Sequence, residues 1–373
     1  MSAVTPHRSS DFGTFFLPGP TEVRREILEA MLHPMLPHRG AAFESLFAQL
    51  QAGLRPIFRT ARPVYVSSSS ATGLMEAAIR CTPPGPVLSL VNGAFSERFA
   101  QIARACDRDV TVMNIPWGGI ADLNAVETAL QARSYAAITV VHSETSTGAI
   151  TPLPALAKLA HRYDAAILVD SVTGLGGTPV ETDAWELDFV LTGSQKALAL
   201  PPGLAFGVAS ASFIERAATG PSRGLYFDLV EFEQYIHKNQ TPNTPALSLL
   251  YAAVSQVNDI ARETIEARWA RHQAMTDATH AWVTTLAAST YLPFSVFAAP
   301  GQRATTVTAV ALPDTLAGDA IVKAVAERGF VIGGGYGQLK QRTFRIGHMG
   351  DHTVDGLTRC LDATTDAIHS LLT

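Results

Sequence analysis

The chain lacks the features that direct a protein to a membrane, a nucleic acid or an oxidising compartment. Although 47% of its 373 residues are apolar, no uninterrupted apolar run approaches the roughly 20 residues that a bilayer-spanning helix needs. No membrane partner is expected. Residues 1–10 read as a polar tail without the basic start, apolar middle and small-residue cleavage site of a secretory signal, so the expected location is cytoplasmic. The 28 basic and 33 acidic residues are mixed along the chain, for a formal charge of −5, and no basic block is available to lie along a phosphate backbone. Nucleic acid is therefore not an expected partner. The only cysteines, Cys81, Cys106 and Cys360, stand too far apart to suggest a disulfide framework or a zinc cluster, and buried free thiols are the simplest reading. Internal repeats and low-complexity segments are missing too.

What the sequence does contain is an alternation of two periodicities. Short β-branched apolar runs, among them Val64–Val66, Val87–Val91, Val110–Val112, Ala137–Val141, Ala166–Val169 and Phe189–Leu191, read as strands buried on both faces. Helix-period segments such as Glu97–Cys106, Asn124–Ala132 and Leu153–Tyr163 lie between them. This order implies an α/β fold, a mainly parallel sheet flanked by helices, in a large domain spanning 21–265. Two prolines punctuate Thr241-Pro242-Asn243-Thr244-Pro245, and a single long helix is expected from Ala246 to about Leu286. Expected strands at Thr305–Leu312, Phe330–Ile332 and Thr343–Ile346, with helices at Asp319–Arg328 and Val354–Leu372, suggest a smaller α+β C-terminal domain over 266–373.

Ligands of parallel sheets gather beyond the carboxyl ends of the strands, and three polar features lie there. Asp170 ends the run Ala166–Val169, and Lys196 follows the next strand in Thr192-Gly193-Ser194-Gln195-Lys196. Alone, the acid could be a helix cap and the lysine a solvated loop residue. Together they suit an aldehyde cofactor: an amine forms an imine, and a carboxylate pairs with a protonated pyridine nitrogen. The third feature, Ser67-Ser68-Ser69-Ser70-Ala71-Thr72-Gly73 before a helix, offers hydroxyls and free N–H groups to a phosphate dianion, or else a plain N-cap. The glycine runs 174–177 and 333–337 do not make a dinucleotide fingerprint. The required third glycine would fall on Pro179 or Gln338, and both runs read as turns.

In these stretches the chain resembles the class V, fold type I aminotransferases that use pyridoxal 5′-phosphate, close to the alanine–glyoxylate and serine–pyruvate group. The matching segments are collinear over nearly the whole chain: Leu17-Pro18-Gly19-Pro20-Thr21, Ser70-Ala71-Thr72, Asn92-Gly93, His142–Gly148, Val169-Asp170-Ser171, Gly193-Ser194-Gln195-Lys196 and Phe344-Arg345-Ile346-Gly347. The resemblance implies that Lys196 is the Schiff-base lysine and moves the substrate Cα proton. Asp170 would hold the pyridine nitrogen protonated, and Ser70, Ala71, Thr72 and Gln195 would hold the phosphate. Thr145 would lie near the cofactor O3′. Phe95 would stack on the ring where the family often has tryptophan.

Gln240, Thr241 and Thr244 match a segment that crosses to the neighbouring subunit's phosphate in the family, which implies a homodimer with shared sites; an exposed Thr-Pro turn is the alternative. Arg345 would bind the substrate carboxylate. Residues 1–20 would form an arm whose Gly19 backbone borders the pocket, and His38 could approach it. The implied reaction is ping-pong transfer of an amino group from alanine or serine to glyoxylate or pyruvate. A 2-aminoethylphosphonate–pyruvate type of aminotransferase and a catalytically silent binding protein are the alternatives. Cysteine desulfuration is disfavoured because Cys360 falls in an expected helix and not on a mobile loop.

Overall fold

The computed structural model describes residues 12–220 and 223–372; the expected tail at residues 1–10 lies outside them. Fourteen strands occur among the described residues: β1 (Phe15–Phe16), β2 (Tyr65–Ser67), β3 (Val87–Val91), β4 (Val110–Asn114), β5 (Ala137–Val141), β6 (Ser143–Glu144) and β7 (Ala149–Ile150), then β8 (Ala166–Asp170), β9 (Phe189–Gly193), β10 (Ala205–Ala209), β11 (Ser295–Val296), β12 (Val307–Ala311), β13 (Val331–Gly334) and β14 (Thr343–Gly347).

Seven of them form one sheet in the order β2-β10-β9-β8-β5-β3-β4. The pairs from β4 through to β9 are parallel, as an alternation of strand and helix requires. Strands β3, β5, β8 and β9 are buried along their whole length, because helices cover both faces. One strand of this sheet was not legible. β10, Ala205-Phe206-Gly207-Val208-Ala209, runs antiparallel to both its neighbours, and its two alanines and internal glycine leave only Phe206 and Val208 to favour a strand.

A second sheet, β1-β13-β14-β12-β11, has its own apolar cluster, in which Phe16 from the start of the described chain packs with Met275, Phe344, Leu357 and Cys360. The buried Cys81 and Cys360 are free thiols, as their spacing suggested. The long helix expected from Ala246 is two helices, Leu247–Glu263 and Ile265–Thr290. Thr264 breaks it at φ 69° and caps the second helix, its hydroxyl accepting from Ala267 N–H. A threonine in that backbone region carries no sequence signal, since glycine is the residue that favours it. No helix among the described residues is long and apolar enough to cross a membrane.

Candidate active site

The parallel strands β2, β3, β5, β8 and β9 all point their carboxyl ends to one side, and the loops that follow them converge there. After β2 comes Ser70 and the helix Ala71–Cys81; after β3, Phe95 in the helix Ala94–Ala105; after β5, Thr145; at the end of β8, Asp170; and past β9, Gln195 and Lys196. Ser70, Ala71, Thr72, Phe95, Thr145, Asp170, Gln195 and Lys196 line one cavity of about 360 Å³, together with Gly19 and Pro20. A larger cavity of about 730 Å³ opens near the amino ends of β8 and β9, around His161, Asp188 and Arg216, and contains none of these groups.

Lys196 is the only buried lysine of five; Lys158, Lys238, Lys323 and Lys340 are exposed. Its Nζ donates to Pro18 O and lies 6.0 Å from the Phe95 ring centroid. Burial, reinforced by the charge of Arg345, lowers its pKa to about 8, so a reactive neutral amine is present near neutral pH. The lysine loop is held from behind. Arg268 Nη2 donates to Ala197 O (2.7 Å) and pairs with Asp351 (2.8 Å). Burial opposes ionisation of Asp351, but Arg268 and Arg24 hold its pKa at about 2.

Asp170 is 2% exposed, and burial pushes its pKa up to about 7. Oδ1 accepts from Val172 N–H (2.8 Å), and Oδ2 has no partner among the described residues. At the other side of the cavity, Ser70 takes the N-cap position of the helix Ala71–Cys81 without making a side-chain cap bond. Its hydroxyl and the first N–H groups of that helix are open to an anion. The Thr145 hydroxyl is bonded to that of Thr173, a cavity residue that the sequence did not reveal. Phe95 is fixed by Glu144, buried at the start of its helix, where the carboxylate accepts from the N–H groups of Phe95 (3.2 Å) and Ser96 (3.0 Å).

Gly19 meets the lysine directly. A Cβ there would stand 2.5 Å from Lys196 Nζ, and φ is +99°. Gly19→Ala is therefore expected to cost about 1–3 kcal/mol in backbone strain and to displace the amine. Thermal melting and turnover measured side by side would check this, and a variant with wild-type values of both would contradict it.

Arg345 lies behind Thr145 and not in the wall of the cavity itself. Its Nε donates to Gly334 O (2.8 Å) and Nη1 to Thr145 O (3.2 Å), while Nη2 has no partner among the described residues. Burial lowers its pKa to about 10, still well above any working pH.

Besides Arg345, three of the expected residues are not brought to this cavity within one chain. Gln240 donates to Glu44 Oε1 (2.8 Å), the Thr241 hydroxyl donates to Asn243 O (2.7 Å), and Thr244 is exposed beside His38 Nε2 (3.5 Å). Arg39 docks on the same turn, bonding Thr241 O (2.7 Å), so the segment of His38 and Arg39 lies on that turn and not at the cavity. Arg98 does line the cavity, although nothing in the sequence singled it out.

A family model described as aminotransferase class-V matches residues 29–338, and the chain belongs to that family. An uncharacterized aminotransferase of Methanocaldococcus jannaschii is 35% identical over 90% of this chain and 87% of its own length. The serine–glyoxylate aminotransferase of Methylorubrum extorquens is 30% identical over 90% of this chain and 86% of its own. Among solved structures, an alanine–glyoxylate aminotransferase from Nostoc sp. superposes with a TM-score of 0.90 at 29% identity, covering 100% of this chain and 98% of that one. The architecture is that of the fold type I aminotransferases.

Proposed function

We propose that the protein transfers an amino group between a small amino acid, alanine or serine, and a small 2-oxo acid, glyoxylate or pyruvate, with pyridoxal 5′-phosphate held in the 360 Å³ cavity. One observation carries the reading: the single buried lysine shares one cavity with a buried acid whose second oxygen is unpartnered and a helix N-terminus left uncapped. These groups fit the cofactor chemically. The uncapped N-terminus with Ser70, Thr72 and Gln195 would take its phosphate, Phe95 its ring face and Asp170 its ring nitrogen. When bound, the cofactor supplies an aldehyde that condenses with amines and a protonated ring that accepts electrons from the substrate Cα.

The chain's own groups do the rest. Lys196 Nζ would hold the cofactor through its aldehyde carbon and, as a free amine, would move the substrate Cα proton. Asp170 would keep the ring nitrogen protonated, and Arg345, whose Nη2 is unpartnered among the described residues, would take the α-carboxylate. Donor and acceptor would use the same groups in alternation, and the cofactor's aldehyde carbon would supply the place for the amino group between the two half-reactions. Arg345→Lys is expected to raise the substrate KM about tenfold or more, since one ammonium cannot present two parallel donors. An unchanged KM would remove Arg345 from the substrate site.

The functional unit in this reading is a homodimer in which Gln240, Thr241 and Thr244 face the neighbouring subunit's phosphate. Leu28, Leu32, Met35 and Leu225, large apolar residues left exposed in one chain, support such an interface. The deciding experiment assays alanine, serine and 2-aminoethylphosphonate as donors against glyoxylate and pyruvate, compared as kcat/KM. Preference for alanine or serine with glyoxylate or pyruvate is expected. Preference for the phosphonate would move the protein to that branch, and no turnover with any pair would remove the enzymatic reading.

A further inference from the structure

Two helices begin at the wall of the lysine cavity, Ala71–Cys81 behind Ser70 and Ala94–Ala105 behind Gly93, and their first turns are satisfied in opposite ways. A helix start presents N–H groups that no carbonyl of the helix itself can take, and so attracts an anion. In the first helix the N–H groups of Ala71 and Thr72 have no partner among the described residues. In the second, the first three are all taken: Ala94 N–H donates to Ser146 Oγ (3.1 Å), and those of Phe95 (3.2 Å) and Ser96 (3.0 Å) donate to the Glu144 carboxylate. Gly93 has no side chain with which to cap its helix, and a Cβ there would stand 2.4 Å from Glu144 Cγ. The cap therefore comes from the loop after β5.

That cap is a costly one. Glu144 is 0% exposed and pairs with no cation among the described residues; its remaining donors are Ser146 N–H (3.1 Å) and the Ser146 hydroxyl (2.6 Å). A serine or asparagine at the cap position would satisfy the same helix without burying a charge. The carboxylate has two consequences that a neutral cap would lack. It fills the anion position of the second helix, so a phosphate entering the cavity finds its open helix start at Ala71. It also ties the Phe95 backbone to the loop that carries Thr145, whose carbonyl in turn accepts from Arg345 Nη1 (3.2 Å).

We propose that Glu144 is the positioning residue that fixes how the cofactor lies: its carboxylate closes the second anion position and sets Phe95 against Thr145, so that phosphate and ring take a single orientation. Glu144 does not line the cavity and acts through those two residues. This rests on the aminotransferase reading above.

The test compares wild type, Glu144→Gln, Phe95→Leu and the double variant, each titrated with pyridoxal 5′-phosphate and then assayed with alanine and glyoxylate. Glutamine keeps the shape and one accepting oxygen but loses the charge. In Glu144→Gln the Kd for pyridoxal 5′-phosphate should rise about tenfold and the visible circular dichroism of the bound cofactor should weaken, while kcat falls about tenfold and the KM for alanine stays within about twofold. In the Phe95→Leu background the same substitution should cost less than about threefold in kcat, because residues that act through one another are not additive. Ser146→Ala removes a donor to the carboxylate and leaves its charge, so it should raise the Kd by a smaller factor; it takes the place of Glu144→Gln if that variant does not fold. A Glu144→Gln protein that melts lower yet keeps the wild-type Kd, dichroism and kcat, losses that simply add in the double variant, or an unchanged Kd in Ser146→Ala would overturn the assignment. A wild type that binds no pyridoxal 5′-phosphate would instead overturn the aminotransferase reading.

Discussion

Lys196→Ala is expected to lower transamination by at least about four orders of magnitude while the protein still folds. The substitution removes the cofactor anchor and the group that moves the Cα proton at once, and proton transfer alone is worth roughly 10²–10⁴ in rate. The fold should tolerate the change because this amine is held against its own solvation: burial and Arg345 already lower its pKa to about 8. Its hydrogen bond to Pro18 O is lost, but no apolar core depends on it. Turnover and thermal melting on one preparation decide the matter. A variant that retains a tenth of the wild-type rate would take the chemistry away from Lys196.

Asp170→Asn should separate stability from activity in opposite directions. In the cofactor-free protein the carboxyl has its pKa raised from 3.8 to about 7 by burial. A raised folded value means that the folded state binds the extra proton, so the stability it contributes is full below pH 3.8 and is lost as pH rises through about 7. At about 1.36 kcal/mol per unit, the ionised carboxylate costs the cofactor-free fold about 4 kcal/mol above that range. Asparagine removes this cost and keeps an oxygen for Val172 N–H. The cofactor-free variant should therefore melt higher than wild type at pH 8, and the gain should vanish by about pH 4. With cofactor bound, the same change removes the carboxylate that holds the ring nitrogen protonated, and turnover should fall about 10²–10³-fold or more. A variant that melts lower at pH 8, or one with wild-type turnover, would contradict this account of Asp170.

Most of the sheet was legible because its strands are apolar on both faces. β3, β5, β8 and β9 appear as short, mainly apolar runs containing β-branched residues, and the carboxyl ends they define locate Asp170 and Lys196. β10 was not, since its alanines and glycine are admitted to the sheet by neighbours on either side and not by their own propensity. The same division holds in the cavity. Residues that sit in short motifs at strand ends were read directly, whereas Arg98 and Thr173 come from a helix face and a loop that only the tertiary fold brings together. Gln240, Thr241 and Thr244 match a family segment by sequence, yet within one chain they bond to Glu44, Asn243 and His38 and stay apart from the cavity.

The most direct test of the central claim is chemical. The protein is loaded with pyridoxal 5′-phosphate, reduced with borohydride, digested and mapped by mass spectrometry. With only five lysines in the chain and four of them exposed, the result is unambiguous. The added mass should sit on the peptide containing Lys196 and on no other; a label spread over the exposed lysines, or none on Lys196, would contradict the account.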